Sequence, residues 1–373
     1  MRRLTVVQLL PALESGGVER STLEIAQALV RAGHRALVVS AGGRLLPRLQ
    51  SLGAEHITLD IGRKSLLTLR HVRSLRALLQ RERVDIVHAR SRLPAWLAVL
   101  ALRGLPAAHR PHFVTTVHGL NSPSRYSAVM TRGERVICVS QTVREYVLRH
   151  YPATDPARLR LIPRGIDPAD FPRRAMHRED RAWAAQLHPA LAGEGPLLLL
   201  PGRGTRLKGH RDGLDLLARL RSDGLDARLW LPGAREVGRE AYIAELETQA
   251  AALGLATTVA FTAPSAEIAR AYAASDLVLQ LSRKPESFGR TVVEALAVGR
   301  PVLGWAHGGV GDLLRELQPQ GLVAPFDLDA LHVSARALLA QPPAPPVTIP
   351  HTLQAMQQAT LAVYAELTND RDD

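Results

Sequence analysis

Cysteine is almost absent from this chain, since Cys138 is the only one among 373 residues. A single thiol cannot form an intramolecular disulfide, so we expect the protein to be cytoplasmic, in a reducing compartment. Cys138 also lies in the apolar run of residues 136–139, where nothing activates a thiol as a nucleophile. A disulfide-stabilised fold and cysteine-dependent catalysis are therefore not expected.

Aromatic residues and long apolar runs are scarce as well. Phe, Trp and Tyr make up 4% of the chain, and no strand interleaves them with basic residues, so the stacking platforms of nucleic-acid-binding proteins are missing. The longest apolar stretch beyond the N-terminus, residues 93–102, is far shorter than the ~20 residues that cross a bilayer. Residues 4–10 follow two arginines without a signal-peptide cleavage site, and they predict a first strand.

Acidic residues are scarce in one half of the chain only. Residues 1–165 contain 26 Lys and Arg against 10 Asp and Glu, a net charge of +16, whereas the remaining residues have a net charge of −4. This asymmetry indicates that the N-terminal half meets an anionic partner, and a phosphorylated glycolipid at a membrane surface fits better than nucleic acid. In the predicted helix over residues 65–82, we expect the arginines to meet anionic lipid while the leucines pack on the sheet.

Apolar runs alternate with amphipathic stretches in both halves, which predicts parallel βαβ units and an α/β fold class. We expect two Rossmann-like doubly wound domains that face each other across a crevice, with ligands at the carboxyl ends of their strands. The expected boundaries are an N-terminal domain at 1–165, an interdomain connection at 166–195, a C-terminal domain at 196–350 and a final helical segment at 351–373.

One motif lies where a predicted strand over residues 276–281 turns into a predicted helix over residues 291–298. Ser287 can cap this helix, and the backbone N–H groups of Phe288, Gly289 and Arg290 can bind an anion, which the helix dipole favours. Glu286 precedes the helix and can accept two sugar hydroxyls, while Glu294 lies within it and can accept a ribose diol. A capped helix with two solvated carboxylates is the alternative interpretation.

A second motif follows the predicted strand at residues 196–200. Glycines let the backbone approach a ligand there, and Arg203 and Lys208 supply positive charge for a diphosphate. Leu207 stands where a Rossmann fingerprint needs its third glycine, and His210 stands where a phosphate-binding loop needs lysine, so neither nucleotide motif applies. A basic surface turn is the alternative. Lysine is rare in this chain, three against 44 arginines, and Lys208 and Lys284 both fall beside the proposed ligand loops.

The predicted strands of the N-terminal half also end in candidate site residues. Gly16 and Gly17 precede the helix at residues 18–32, where they can face the donor phosphates; a plain glycine-rich helix start is the alternative. Three further sets of side chains follow the strands at residues 84–88 and 113–117 and suit a sugar or an anion: His118, Asn121, and Arg90 and Arg92 with Trp96. We expect all of these except His118 to contact the acceptor. For the two arginines, a salt-bridged loop is the alternative.

The spacing of Glu286 and Glu294 resembles the Glu-x7-Glu signature of the retaining glycosyltransferases of family 4, which have the GT-B fold. This resemblance implies that Glu286 binds the donor sugar and Glu294 the ribose, that Arg203 and Lys208 hold the donor diphosphate, and that His118 lies beside the donor sugar. The segments around Arg90 and His118 look like those of the subgroup that builds lipopolysaccharide core. Arg290 departs from the family pattern, which often has an aliphatic residue there. The resemblance also implies that the helical segment at 351–373 crosses back to the N-terminal domain.

The resemblance implies a retaining transferase that moves a hexose from a nucleotide diphosphate sugar, UDP-hexose or GDP-mannose, to a lipopolysaccharide core or similar anionic glycolipid. We expect it to lie at the cytoplasmic face of the inner membrane as a peripheral protein. No metal cofactor is expected, because the Asp-x-Asp triplets at 327–329 and 370–372 look like a helix start and a frayed tail. An epimerase or phosphorylase on the same fold and a non-enzymatic nucleotide-sugar sensor remain alternatives.

Overall fold

The computed structural model describes residues 2–14, 16–175 and 178–369. These residues form two compact units. The first comprises the chain up to Gly165 together with the C-terminal helix from Leu353, and the second runs from Ile166 to Thr352. The segment at 166–195, expected to connect two domains, belongs to the second unit, where Arg178–Leu187 form a helix. The Asp-x-Asp triplet at 370–372 lies outside the described residues.

The first unit is built on a seven-stranded parallel sheet with the order β3-β2-β1-β4-β5-β6-β7. Its strands are β1 Thr5–Leu9, β2 Arg35–Ser40, β3 Glu55–Thr58, β4 Ile86–Ala89, β5 His112–Val117, β6 Arg135–Cys138 and β7 Leu159–Leu161. Its α-helices are α1 Gly17–Arg31, α2 Leu46–Ser51, α3 His71–Arg81, α4 Arg92–Arg103, α5 Gln141–His150 and, at the C-terminus, α13 Leu353–Asn369.

The second unit is built on a six-stranded parallel sheet with the order β10-β9-β8-β11-β12-β13. Its strands are β8 Leu197–Leu199, β9 Arg228–Pro232, β10 Val259–Thr262, β11 Leu277–Gln280, β12 Val302–Trp305 and β13 Leu322–Val323. Its α-helices are α6 Arg178–Leu187, α7 His210–Ser222, α8 Glu240–Ala252, α9 Ile268–Ala274, α10 Arg290–Val298, α11 Gly308–Leu317 and α12 Leu328–Ala340. The prediction of two Rossmann-like α/β domains is therefore confirmed.

The inner strands of both sheets are mostly apolar and almost wholly buried because helices cover both faces. In the first unit, Val7 and Leu9 of β1 point into one apolar cluster and Val6 into another. In the second unit, Leu198 of β8 points into one apolar cluster and Leu197 into another. Burial of both faces leaves only the strand ends exposed to ligands.

The predicted helix over residues 65–82 is divided into two parts. Leu66–Arg70 form a 3-10 turn, and α3 follows. The side chains of Leu75, Leu78 and Leu79 in α3 are buried in the core, as expected, but Leu66, Leu67 and Leu69 are exposed. The expectation that all leucines of this segment pack on the sheet is therefore wrong. A 3-10 turn and an α-helix have different numbers of residues per turn, so a single α-helical spacing does not describe the whole segment.

Polar contacts attach α13 to the sheet of the first unit. The Tyr364 hydroxyl lies 2.6 Å from Nδ1 of His88, and Nε2 of His88 lies 2.6 Å from Oγ1 of Thr116. Burial lowers the pKa of His88 well below its usual value, so the ring is neutral, donating through one nitrogen and accepting through the other. Glu366 also receives hydrogen bonds from Arg135 and Arg160.

We predict that Tyr364→Phe destabilises the protein by about 1–2 kcal/mol, because it leaves Nδ1 of the buried His88 without its partner. Urea denaturation at neutral pH measures this loss. Tyr126→Phe is the matched control, since Tyr126 is exposed, and it should change the free energy of unfolding by less than about 0.5 kcal/mol. Equal effects of the two substitutions would contradict the assigned role of the hydroxyl.

Candidate active site

The two predicted motifs of the second unit meet at its topological switch point. Strands β8 and β11 are neighbours although β9 and β10 intervene in the chain, and ligands of doubly wound sheets bind where the strand order reverses in this way. The turn after β8 provides Lys208, and the turn after β11 provides Glu286. The backbone N–H of Arg283 donates to the Leu207 carbonyl at 2.8 Å, which joins the two turns directly.

Lys208 and Glu286 form an ion pair at this point, with 2.6 Å between Nζ and Oε1. Ser282 Oγ donates to the same carboxylate oxygen at 2.5 Å. Burial by itself would raise the pKa of Glu286, but the Lys208 charge and the hydrogen bonds from Lys208, Ser282 and Gln280 outweigh it, so the pKa lies below its usual value. Both side chains remain about one quarter exposed, so a ligand can reach the pair.

Arg203 lies on the turn after β8 and Glu294 lies in α10, and their side chains have different environments. The Arg203 side chain is exposed, and it makes no hydrogen bond or ion pair with the described part of the chain. Glu294 is buried, and the Tyr272 hydroxyl donates to its Oε2 at 2.9 Å. Tyr272, in α9, was not predicted, because a buried tyrosine on a short helix carries no sequence signal until its partner is known.

The helix start differs from the prediction. Helix α10 begins at Arg290, and Gly289 occupies its N-cap in the left-handed region, with φ of 99°. The prediction that Ser287 caps this helix is therefore wrong. Left-handed backbone favours glycine, and a Cβ on Gly289 would lie 2.8 Å from Val310. Phe288, the remaining residue of the predicted turn, is buried in the core.

The turn after β12 supports the Glu286 loop, and sequence reasoning missed it. Gly309 N donates to the Glu286 carbonyl at 2.7 Å, and His307 Nε2 lies 2.8 Å from the Ser282 carbonyl. The paired glycines at 308 and 309 directly after a predicted strand were the signal that could have found this turn.

The first unit places a group of buried cations at its own switch point, between β1 and β4. Arg90 follows β4, and its Nε donates to Gln8 Oε1 at 2.7 Å while its Nη1 donates to Ser21 Oγ at 3.2 Å. Burial lowers the pKa of Arg90 to about 10, so the guanidinium stays charged at neutral pH. Its Nη1 also lies 3.5 Å from His118 Nε2.

Arg164 completes this group and was not predicted. Its Nη2 lies 2.9 Å from Nδ1 of His118, and its Nη1 donates to the Gly17 carbonyl at 3.0 Å. Because a guanidinium can only donate, Nδ1 of His118 accepts from Arg164. Gly17 begins α1, with Gly16 at the N-cap. A Cβ on Gly17 would lie 2.6 Å from Arg164 Nη1, so glycine allows this approach. Ser15 lies outside the described residues.

The residues predicted to contact an acceptor divide into two groups. Arg90 belongs to the buried cations, whereas Arg92, Trp96 and Asn121 lie around the loop at residues 119–127. Arg92 donates to Ser127 Oγ at 3.2 Å, Trp96 Nε1 donates to the Tyr126 carbonyl at 2.9 Å, and the Asn121 carbonyl accepts from the Tyr146 hydroxyl. Neither Arg90 nor Arg92 forms an ion pair with a carboxylate of the described residues.

Comparison with known proteins agrees with this geometry. Residues 15–170 match the Glycosyltransferase Family 4 domain, and residues 186–351 match the Glycosyl transferases group 1 domain. Among solved structures, a glycosyltransferase from Rickettsia africae has 26% identity and a TM-score of 0.86, with 99% of each chain covered. Anabaena HepE in complex with UDP and glucose has 21% identity and a TM-score of 0.76, covering 98% of this chain and 95% of HepE.

Curated relatives match over shorter lengths. The D-inositol 3-phosphate glycosyltransferase of Jonesia denitrificans is 32% identical over 178 residues, which cover 46% of this chain and 41% of that protein. The chain spans about half the length of the curated relatives it matches. WaaG, a glycosyltransferase of lipopolysaccharide biosynthesis, has the same fold, with 19% identity, a TM-score of 0.67 and 98% of each chain covered.

This chain has the fold and the domain matches of a GT-B glycosyltransferase. Its first unit carries a family 4 domain and its second unit a group 1 domain. The lipopolysaccharide-core subgroup suggested by the sequence is not confirmed, because the matching curated relatives are D-inositol 3-phosphate glycosyltransferases and a 2-deoxystreptamine glucosyltransferase.

We predict that Lys208→Met destabilises the protein by about 2 kcal/mol at pH 7 and by less at pH 4. The folded-state pKa of Glu286 is depressed, so the pair stabilises the fold above the unfolded pKa, and this stability is lost as the pH falls through the folded pKa. Urea denaturation at both pH values measures the difference. Lys284→Met is the matched control, because Lys284 is exposed, and a pH-dependent loss of the same size there would contradict the assignment.

Proposed function

We propose that this protein is a retaining glycosyltransferase that moves a hexose from a nucleotide diphosphate sugar to a lipopolysaccharide core or similar anionic glycolipid. UDP-hexose is the favoured donor and GDP-mannose the second. The observation that carries this proposal is the Lys208–Glu286 ion pair at the switch point of the second unit, with the exposed Arg203 on the turn that provides Lys208. The pair combines a cation for a diphosphate with a carboxylate for sugar hydroxyls.

The donor site follows from this arrangement. Arg203 and Lys208 neutralise the diphosphate, so the proposed reaction needs no metal cofactor. Among the described residues, no group of three His, Cys, Asp or Glu side chains could hold a metal ion. When the diphosphate engages Lys208, the Glu286 carboxylate becomes available to the sugar hydroxyls. Glu294, oriented by the Tyr272 hydroxyl, accepts the ribose diol.

The proposed reaction retains configuration at the anomeric carbon. The bond between that carbon and the β-phosphate oxygen breaks, and the bond to the acceptor oxygen forms on the same face. The acceptor hydroxyl gives its proton to the departing phosphate. In this reaction Glu286 accepts hydrogen bonds from the sugar hydroxyls and does not attack the anomeric carbon. Positioning and charge stabilisation then supply most of the rate enhancement.

An anionic acceptor is supported by the net charge of +16 in residues 1–165. Arg92, Trp96 and Asn121 line the loop proposed to contact it, and Arg92 has no carboxylate partner among the described residues. A phosphorylated polyol is a second acceptor class, favoured by relatives named D-inositol 3-phosphate glycosyltransferases. We place the protein in the cytoplasm, peripheral to the inner face of the membrane. None of the helices described here is long and apolar enough to span a bilayer.

We predict that Glu286→Ala and Glu294→Ala each reduce kcat/KM for transfer on the order of 100-fold, because each removes hydrogen bonds to a charged group. Transfer from radiolabelled UDP-glucose and UDP-galactose onto extracted core glycolipid and onto inositol phosphate measures this loss. Glu194→Ala, at an exposed carboxylate of the same unit, is the control.

Transfer at the parental rate by both the Glu286→Ala and the Glu294→Ala variant would refute the assigned donor site. Conversion of the donor sugar without an acceptor would indicate an epimerase. Cleavage of a glycosidic bond that depends on free phosphate would indicate a phosphorylase. Binding without any conversion would indicate a sensor.

We further predict that UDP-hexoses raise the melting temperature more than guanosine or adenosine diphosphate sugars at equal concentration, since a ligand stabilises the state that binds it. A thermal-shift series over the three bases measures this preference. A larger shift of the melting temperature with GDP-mannose would identify GDP-mannose as the donor in place of UDP-hexose. The assignment of the donor-site residues would not change. The Glu294→Ala variant should lose the shift, because the ribose is common to all three donors.

A further inference from the structure

The turn before α3 exposes three large apolar side chains. Leu66 is 86% exposed, Leu67 71% and Leu69 49%. Exposed leucines occur singly on most soluble proteins, whereas a contiguous group marks an interaction surface. We call residues 63–73 the leucine-arginine patch.

The backbone of this patch is held in place with its leucines outward. Ser65 Oγ accepts a hydrogen bond from Leu67 N at 3.2 Å and so caps the 3-10 turn. Thr68 is the residue of the turn that is buried, and its Oγ1 donates to the Arg63 carbonyl at 2.7 Å. A polar residue therefore occupies the inward position, and the leucines on either side of it face away from the core. Burial of the leucines within this unit would require this turn to unfold.

The charge of the patch has one sign. Arg63, Lys64, Arg70 and Arg73 are exposed, and no acidic residue occurs from 61 to 81. None of the four side chains makes an ion pair or hydrogen bond with the residues that the structure describes. The next arginine, Arg76, differs, since it donates to the carbonyls of Leu100 and Ala101. The four outer cations are therefore available to an anionic surface.

We propose that the leucine-arginine patch inserts into an anionic lipid bilayer, with Leu66, Leu67 and Leu69 among the acyl chains and the four cations at the lipid phosphates. A short apolar turn bordered by cations matches the layers of a bilayer interface. This extends the purely electrostatic attachment expected from sequence. It deepens the membrane location in the proposed function, but it does not depend on the donor or the acceptor.

Insertion gives attachment two components with different salt dependence. Screening weakens the contacts of the cations as the ionic strength rises, since exposed charges interact over about 10 Å at 0.1 M salt. Burial of the leucines is not screened. Binding to anionic vesicles should therefore decrease with salt and then level off at a value set by the leucines.

Vesicle co-sedimentation of the full chain tests this proposal. For vesicles of phosphatidylglycerol and phosphatidylethanolamine, the double variant Leu66→Ser with Leu67→Ser should bind at least about tenfold more weakly than the parent, with the salt-resistant fraction lost. The matched control is Val237→Ser with Val347→Ser, because these valines are 99% and 93% exposed in the other unit. It should bind like the parent. Parental binding by the leucine variant would overturn the proposal.

A fluorophore reports insertion directly. The native Cys138 is buried, and burial raises the pKa of its thiol to about 12, so Leu67→Cys provides one reactive site for an NBD label. A blue shift on anionic vesicles and quenching by lipids labelled within the acyl chain are expected. An unshifted spectrum would overturn insertion. So would a dimer in vesicle-free solution that dissociates in the Leu66→Ser, Leu67→Ser variant, since a second copy would then cover the patch.

The two proposals fail separately. The Leu66→Ser, Leu67→Ser variant should transfer sugar to a delipidated, water-soluble acceptor at the parental rate, and its defect should appear only with acceptor embedded in vesicles. Equal loss on both acceptors would place the leucines in the transfer reaction and overturn the lipid assignment. Vesicle insertion by a parent chain that transfers no sugar would refute the proposed function and leave insertion intact.

Discussion

Parallel strands end at one edge of their sheet, and this constraint decides where the polar side chains of both units lie. In the second unit, β8 and β11 are neighbours, so the turns that carry Lys208 and Glu286 meet although 78 positions separate them in the chain. In the first unit, β1 and β4 are neighbours, and the turns with Gly17 and Arg90 lie at the corresponding place. The apolar interiors of the sheets leave no other position where charged groups can collect without a large desolvation cost.

Each unit satisfies its charges differently. Lys208 and Glu286 neutralise each other while both remain partly exposed, so a diphosphate or a sugar can exchange with either partner. Arg90 is buried and forms no ion pair with a carboxylate of the described residues, and the neutral groups of Gln8 and Ser21 accept its hydrogen bonds. Arg164 contacts the same His118 ring as Arg90 and donates to the Gly17 carbonyl. A buried cation held by neutral groups keeps a positive potential that an anion can complete.

The local sequence pattern predicted the position of helix α10 correctly. It failed for contacts and orientations that depend on residues distant in the sequence. The strand-to-helix turn around Gly289 was predicted from its neighbours in sequence, and α10 begins within one residue of the prediction. Ser287 was assigned as the cap because serine favours that position, but Gly289, in the left-handed conformation, occupies the N-cap instead. Tyr272 and Arg164 could not be predicted, because each becomes relevant only through a contact with Glu294 or His118. Leu66 and Leu69 followed helical spacing, yet the 3-10 turn and the inward Thr68 direct them outward together with Leu67.

The sequence by itself determined the fold class, the uneven charge and the residue types of the donor site, since these depend on periodicity, composition and short spacings. Only the tertiary structure decided which of those residues meet. Strand order brings Lys208 to Glu286. Burial of Arg90 against Gln8 directs it away from the loop that Arg92 and Trp96 contact, and packing of the last helix places Tyr364 against His88. The physical reason is that hydrophobic burial follows a repeating local pattern, whereas contacts between polar groups depend on the sheet topology that burial produces.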